Sequence, residues 1–436
     1  MLSYSGSGYK GMQFTPDQRT VEGDLFSAFV AAGAISKANA DDPKKSSFVR
    51  CARTDKGVHA AGNVISLKLI IEDPDIIKKI NDNLSPQIRV WGIERTPASF
   101  SCYQVCDSRQ YEYLIPTYCF LPPHPHSFLG KKLVELAEET QDLDGYKGRQ
   151  EEVADFWDQT DHAFVKPILD GLDEETRRLV EQALYHTRTE KAEFEDPDED
   201  VEVEEATEVD DAVKVENVDA EVEHVNVKVA EVDVKAEDAD SAPAEPSANQ
   251  SALDTAIKSL KAAYIKAKQA YRISPARLQR VRETFARYEG TNNFHNFTVR
   301  KAPNDPSAQR YIMSFTASPE PIIINDTEWL SLKVHGSSFM MHQIRKMVGL
   351  AALIVRCGTK PDILEDTLTN NLYSIPKAPG LGLLLERPVF TSYNKKSAAQ
   401  FDRATIDFDK YEKDIEEFKR REIYNRIFRE ENKDHM

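Results

Sequence analysis

Cys51-Ala52-Arg53-Thr54-Asp55-Lys56-Gly57-Val58-His59-Ala60 sets one carboxylate between two cations, just before a glycine and ahead of an alternating apolar pattern. Nearby positive charge favours the ionised form of a carboxyl group. Gly57 allows a tight turn or a close backbone approach to a ligand. A carboxylate held in this way can serve as nucleophile or base, so the stretch reads as an active-site loop. By composition alone, Arg-Thr-Asp-Lys-Gly also reads as a charged surface turn between two elements, and the surroundings decide between the two.

Upstream, Val21, Leu25, Phe26, Phe29 and Val30 recur at helical spacing within residues 18–36. Downstream, Ile65, Leu67 and Leu69 alternate with Ser66 and Lys68, which predicts a strand over 63–69. The implied order is helix, loop, strand. Further on, the pattern predicts a helix over 73–84 and strands over 89–95 and around 110–114. A helix over 274–288 places Leu278, Val281 and Phe285 on one face, with Arg277, Arg280, Arg282 and Arg287 distributed elsewhere. Strands follow over 311–315, 321–324 and 329–334, then a helix over about 339–355. Strands mixed with helices in this irregular order predict an α+β fold with antiparallel sheets covered on one face.

At 436 residues the chain exceeds one ordinary core, so two or three domains are expected. No apolar run approaches the roughly 18 residues that span a bilayer, and the start lacks a leader pattern, so no membrane is expected. Cys51, Cys102, Cys106, Cys119 and Cys357 form an odd, scattered set without C-x-x-C pairs, which suits a reducing compartment. Cys102 and Cys106 read as core or strand positions rather than half a metal site, and no metal is expected. The formal net charge of −17 argues at first against a nucleic-acid partner. Residues 191–250, however, hold 22 Asp or Glu against 4 Lys. Removing these from the totals of 73 acids and 56 bases leaves 51 against 52, which permits a basic face for phosphate. The acidic stretch itself, with Phe194 as its one aromatic, cannot bury enough apolar surface to fold and is expected to be a disordered insertion.

The longer string CARTDKGVHAAGNVISL, residues 51–67, resembles the catalytic loop of the TruA-type tRNA pseudouridine synthases, where Arg-Thr-Asp-x-Gly-Val-His-Ala surrounds a nucleophilic Asp. The resemblance extends to Tyr4-Ser5-Gly6-Ser7-Gly8-Tyr9-Lys10-Gly11-Met12-Gln13 and to Pro376-Lys377-Ala378-Pro379-Gly380-Leu381-Gly382-Leu383. It covers most of residues 1–126 and 255–395. SFMMHQIRKMVG and PKAPGLGLLLERPVF are closest to the family's eukaryotic multisite branch and its fungal members. The chain opens where relatives have further strand residues, so the first strand reads as clipped, and any basic localisation segment would be lost with it.

What the resemblance implies is a pair of α+β halves whose antiparallel or mixed sheets meet at a central RNA-binding cleft holding the loop. The chain then divides into an N-terminal catalytic half (1–126), a charged, partly helical insertion (127–190), the acidic insertion (191–250), a C-terminal catalytic half (251–395) and a charged helical tail (396–436). The implied activity is cofactor-free isomerisation of uridine to pseudouridine at several positions in tRNA, with snRNA or mRNA as further substrates. The implied enzyme is a monomer in the nucleus, with cytoplasm or mitochondrion as the alternative.

By resemblance Asp55 is the nucleophile; attack at C1′, attack at C6 and elimination through a glycal are all compatible with the residues. The family pattern Phe-x-x-x-x-x-Arg-x-x-x-Gly falls on Phe339, Arg345 and Gly349, making Arg345 the cation that keeps Asp55 ionised. Without the resemblance Arg345 reads as a helix-surface cation like Lys346. Arg109-Gln110-Tyr111-Glu112-Tyr113 matches an Arg-x-Tyr-x-Tyr strand in which Tyr111 contacts the target base and accepts or relays the C5 proton. Alternation puts Arg109, Tyr111 and Tyr113 on one face, with Tyr113 expected in the core. Arg53, Lys56, His59 and Arg109 form the expected RNA-contact set. Arg53 either supports the loop or fills the gap left by an extruded uridine. Lys56 and His59 hold the loop or touch phosphate, with His59 read as a structural hydrogen-bond donor. Tyr103 stands where many bacterial relatives carry Arg, and Gly336, Ser337 and Ser338 are expected to bind phosphate at the start of the Arg345 helix. The tail over 411–431 reads as a helix beyond the resemblance. A non-catalytic RNA-binding or tRNA-folding module is the alternative function, and the joint presence of Asp55, Tyr111 and Arg345 speaks for the enzyme. A hydrolase is disfavoured because no second positioned carboxylate or metal cluster accompanies Asp55.

Overall fold

Short alternating runs become strands wherever a neighbouring run can complete their backbone hydrogen bonds. The computed structural model, which describes residues 1–185 and 248–434, contains β1 (Leu2–Tyr4), β2 (Val49–Arg50), β3 (His59–Asn63), β4 (Ile65–Ser66), β5 (Ile88–Val90), β6 (Ser108–Pro116), β7 (Gly290–Asn293), β8 (Gln309–Ala317), β9 (Ile322–Ile324), β10 (Thr327–Gly336) and β11 (Leu383–Val389). Nine of these form one sheet in the order β5-β1-β3-β11-β6-β10-β8-β7, with β9 beside β10. β2 and β4 pair separately. The two sheets expected to meet do so as a continuous surface, because β11 lies parallel to β3 of the first half and antiparallel to β6. The fold is α+β with a mixed sheet.

Both faces of the sheet are covered. On β6, Tyr111, Tyr113 and Ile115 join one buried cluster while Leu114 joins the other, as the two-residue period requires. The first face receives the helices Val21–Ala31, Pro275–Ala286 and Gln343–Arg356. Each starts on a legible signal or stripe. The Thr20 hydroxyl accepts from the Gly23 amide at 3.2 Å, and the Ser274 hydroxyl accepts from the Arg277 amide at 3.1 Å, with Pro275 next in line. In the third, Ile344, Met347, Val348, Ala351, Ile354 and Val355 form the buried stripe.

The opposite face receives the tail. Ile415, Phe418, Ile423, Ile427 and Phe428 pack with Leu114, Trp329 and Leu384. The 411–431 helix is interrupted by a π turn over Lys419–Tyr424, which carries the apolar stripe across the five-residue step from Phe418 to Ile423. Among the described residues no helix is long and apolar enough to cross a membrane.

Three expectations change on contact with the structure. The strand over 63–69 ends early: Asn63 accepts from the Val64 amide at 2.8 Å, and the chain leaves the main sheet there. Lys68 and Ile70 then donate to the Ser46 and Ala34 carbonyls, both at 2.8 Å, instead of to a strand. Arg277, expected away from the apolar face of its helix, is fully buried and donates to the carbonyls of Phe120 at 2.8 Å and Val355 at 3.1 Å. Gly336–Ser338 does not open the Arg345 helix, because that helix begins at Gln343 and Gly336 closes β10.

By contacts the chain forms two compact units, Met1–Leu172 with Lys258–Met436, and Asp173–Ile257. Within the second, the described residues belong mainly to the helix Glu174–Tyr185 and the opening of Ala248–Ala270. The acidic stretch 191–250 lies outside the described residues except for the three that begin the latter helix.

Candidate active site

The loop from Cys51 to Val58 is held along its backbone, so Asp55 has a defined place. Met12 donates to the Thr54 carbonyl at 3.0 Å, Val58 to the Asp55 carbonyl at 3.1 Å, and Gly57 to the Tyr9 carbonyl at 3.4 Å. The Thr54 hydroxyl meets the Tyr4 hydroxyl at 2.8 Å, and the Asn63 amide donates to the Ala52 carbonyl at 3.1 Å. Gly57 has φ +77°, a conformation that side-chain-bearing residues rarely adopt. Gly6 is required by contact: a Cβ there would lie 2.1 Å from the Val58 carbonyl oxygen. The glycine-rich start of the chain is thus the bed on which the loop rests.

The Asp55 side chain keeps 28% of its surface exposed and meets two groups from the far half of the sequence. Arg345 Nη1 lies 3.8 Å from Asp55 Oδ2, and His342 Nε2 lies 3.5 Å from the same oxygen. Arg345 is buried, and its Nε donates to the Ala378 carbonyl at 2.7 Å while the Ala378 amide donates to the Arg345 carbonyl at 3.0 Å. Helix and 376–382 segment are therefore locked together behind the guanidinium. A cation at this range favours the ionised carboxylate.

Tyr111, on β6, lies near enough to Asp55 to feel its charge. Its ring is buried and packs edge-on against Phe339 with centroids 5.3 Å apart. Burial pushes its hydroxyl pKa well above the ordinary phenol range, so the group is a neutral hydroxyl and not a phenolate. Tyr113 donates to the Pro379 carbonyl at 2.9 Å and so supports the segment that holds Arg345.

The expected RNA-contact residues separate into two pairs. Arg53 and Lys56 are exposed on either side of Asp55. Arg109 turns inward: it is buried, donates to the Cys51 carbonyl at 2.8 Å and lies 5.7 Å from the centroid of the exposed Tyr103 ring. His59 is fully buried on β3, so it reaches no RNA in this structure. Its Nδ1 accepts from the Gly6 amide at 3.0 Å, which leaves the proton of the neutral ring on Nε2, toward the Leu381 backbone, and burial lowers its pKa to about 4.

His342 is the residue that the sequence reading passed over. No sequence signal marked it, because the apolar pattern predicts a helix over about 339–355 that runs straight through it, whereas the helix begins at Gln343. A charged pair plus a neutral tyrosine, buried at the back and open at the front, suits stabilising or forming a bond to a cationic or electrophilic carbon.

Residues 285–391 match the family model described as tRNA pseudouridine synthase, and with the relatives that follow this shows that the chain belongs to that family. Along its length it is similar to the tRNA pseudouridine synthase 1 of Yarrowia lipolytica, at 43% identity over 100% of this chain and 71% of that one. The protein of the same name from Schizosaccharomyces pombe is 45% identical over 99% of this chain and 80% of its own. Similarity to the tRNA pseudouridine(27/28) synthase of Saccharomyces cerevisiae is lower, 32% over 91% of this chain and 85% of that one.

Proposed function

We propose that this chain isomerises uridine to pseudouridine at several positions in tRNA, with Asp55 as nucleophile and Arg345 as its cation. One observation carries the reading: a partly exposed loop carboxylate meets a buried arginine from 290 residues further along the chain. The tRNA substrate is supported by the names of the relatives above. In the reaction the N1–C1′ bond breaks, the base turns, and C5 bonds to C1′. The C5 proton leaves and N1 takes one up, so there is no net redox change and no net addition of water. An ionised Asp55 serves attack at C1′, attack at C6 or elimination through a glycal. Tyr111 supplies an aromatic wall and a hydroxyl that relays a proton without giving one up permanently. The target base must leave its stack, and the planar guanidinium of Arg53, exposed two residues from Asp55, is suited to replace it.

The test is a map of pseudouridine in unmodified tRNA transcripts incubated with wild-type protein and with Asp55→Ala. Several modified uridines are expected with the first and none with the second, while tRNA affinity changes by less than about tenfold, or 1.4 kcal/mol. Equal yields from both proteins overturn the assignment of Asp55. Binding without any pseudouridine from the wild type makes the chain an RNA-binding module instead.

A further inference from the structure

The backbone of His342 is strained where strain has no structural use. Eight residues other than glycine adopt a positive φ among the described residues. Seven of them, Asp17, Ser47, Gln141, Arg300, Asn325, Asp326 and Asp402, are exposed, as expected of turns and helix ends. His342, at φ +61°, is the buried one. It sits at the N-cap of Gln343–Arg356 and makes no side-chain capping bond. Asn or Gly would suit that backbone better, and Asn, Ser or Asp would cap the helix better. The imidazole is turned instead to Asp55, with Nε2 3.5 Å from Oδ2. Backbone strain of this kind persists where the surrounding structure enforces it, and such sites cluster at functional centres.

We infer that His342 is a positioning residue for Asp55, a role that rests on the function proposed above. Arg345 lies in the first turn of the helix and His342 just before it, so both reach the loop from the same helix end. Both approach Oδ2. The terminal torsion of a carboxylate is otherwise broad and two-fold. Two neighbours on one oxygen fix that torsion, so Oδ1 has a set direction before RNA enters. The left-handed backbone is what brings the ring out of line with the helix and over the loop.

The inference separates stability from turnover, and three substitutions read both. His342→Gly relieves the backbone and removes the ring. Its melting temperature is expected to match or exceed that of the wild type, while kcat for pseudouridine formation falls about 10- to 100-fold, with KM for tRNA within about threefold. His342→Asn fits the left-handed backbone but places its amide near the position of Nδ1. His342→Gln tolerates that backbone less well and carries its amide nitrogen out to the position of Nε2. Turnover is therefore expected to recover more with Gln than with Asn, although the order of melting temperatures is the reverse. A Gly variant with kcat within twofold of the wild type overturns the inference and leaves the proposed function intact. Parallel loss of kcat and melting temperature across the three variants makes the residue structural and also overturns it. Absence of pseudouridine from the wild type defeats the proposed function, and this inference with it.

Discussion

An ion-pair site lies on each side of the sheet around strand β6, which lends Tyr111 to one and Glu112 to the other, and the two differ in tightness. On the front, Asp55 keeps 28% of its side chain exposed, with partners at 3.5 and 3.8 Å. On the back, Glu112 and Lys419 are 4% and 6% exposed and 3.1 Å apart, and Lys419 also meets Glu386 at 2.8 Å. Tyr424 donates to Glu112 at 2.6 Å, and the Ser331 hydroxyl donates to its other oxygen. Burial alone would raise the Glu112 pKa, yet Lys419 and these donors bring it below the usual carboxylate range. A sealed pair with its lone pairs occupied is a strut. A loose one with solvent on one side has room for a reacting sugar and can tighten on it. Residues one apart on a strand thus face different duties because one side is closed by the tail and the other by a loop.

The contrast breaks most forcefully from behind. Lys419→Ala leaves Glu112 and Glu386 without their shared cation. Loss of one partner of a buried pair destabilises by roughly 3–5 kcal/mol. Urea unfolding is expected to show this loss, while turnover per folded molecule stays near that of the wild type. Adding Glu112→Gln and Glu386→Gln to the same variant should restore much of the stability. If Lys419→Ala instead abolishes turnover at full stability, the back face is not a strut.

Arg345→Ala attacks the front. Removing one preorganised charge at a reacting centre lowers rates by about 10²–10³, or roughly 3–4 kcal/mol. The expected fall is in kcat for pseudouridine formation, with tRNA affinity little changed. Full turnover would show that Asp55 needs no cation. Arg345→Lys is a sharper version, since a lysine at the same place keeps the charge but cannot hold the Ala378 carbonyl and Asp55 at once.

How far such residues were legible depended on whether period or chemistry betrayed them. Asp55 and Tyr111 sit in strings that carry the family resemblance residue by residue, and the helix expected over 339–355 followed from its apolar stripe although it starts only at Gln343. Arg277 was set apart from the apolar face because an Arg in such a pattern carries no sign of the two carbonyls it will satisfy. The tail's packing was hidden by a five-residue step between Phe418 and Ile423, which fits neither of the ordinary periods and needs a π turn to close. His342 escaped for a different reason. Its meaning lies in a φ angle, and no composition or spacing reports one.

His59 tests the buried side of the loop by pH. Its folded pKa, about 4, lies below the roughly 6.5 of an exposed imidazole. The unfolded chain therefore binds the proton first. The stability due to a neutral His59 is fully present above pH about 6.5 and is lost as pH falls toward about 4, in all roughly 3 kcal/mol. Urea midpoints measured across that window should slope downward with acid, and His59→Asn, whose carbonyl can still accept from Gly6, should flatten the slope. An unchanged slope in the variant assigns the acid sensitivity elsewhere.

The smallest effect is expected at Arg53. Arg53→Ala removes an exposed side chain, so stability should not move. Its loss acts on RNA alone, and the form of that loss tells which contact was made. An arginine on a phosphate releases a counterion, so its removal lowers the slope of affinity against salt by about 0.9 and Arg53→Lys restores it. An arginine filling the gap left by an extruded uridine works through its flat face, worth about 1–3 kcal/mol per stacked partner. In that case the salt slope holds, Lys fails to rescue, and turnover falls more than affinity, because the everted state is what the guanidinium stabilises. The second outcome is expected, since Arg53 stands beside Asp55 on a loop whose backbone is already held without it.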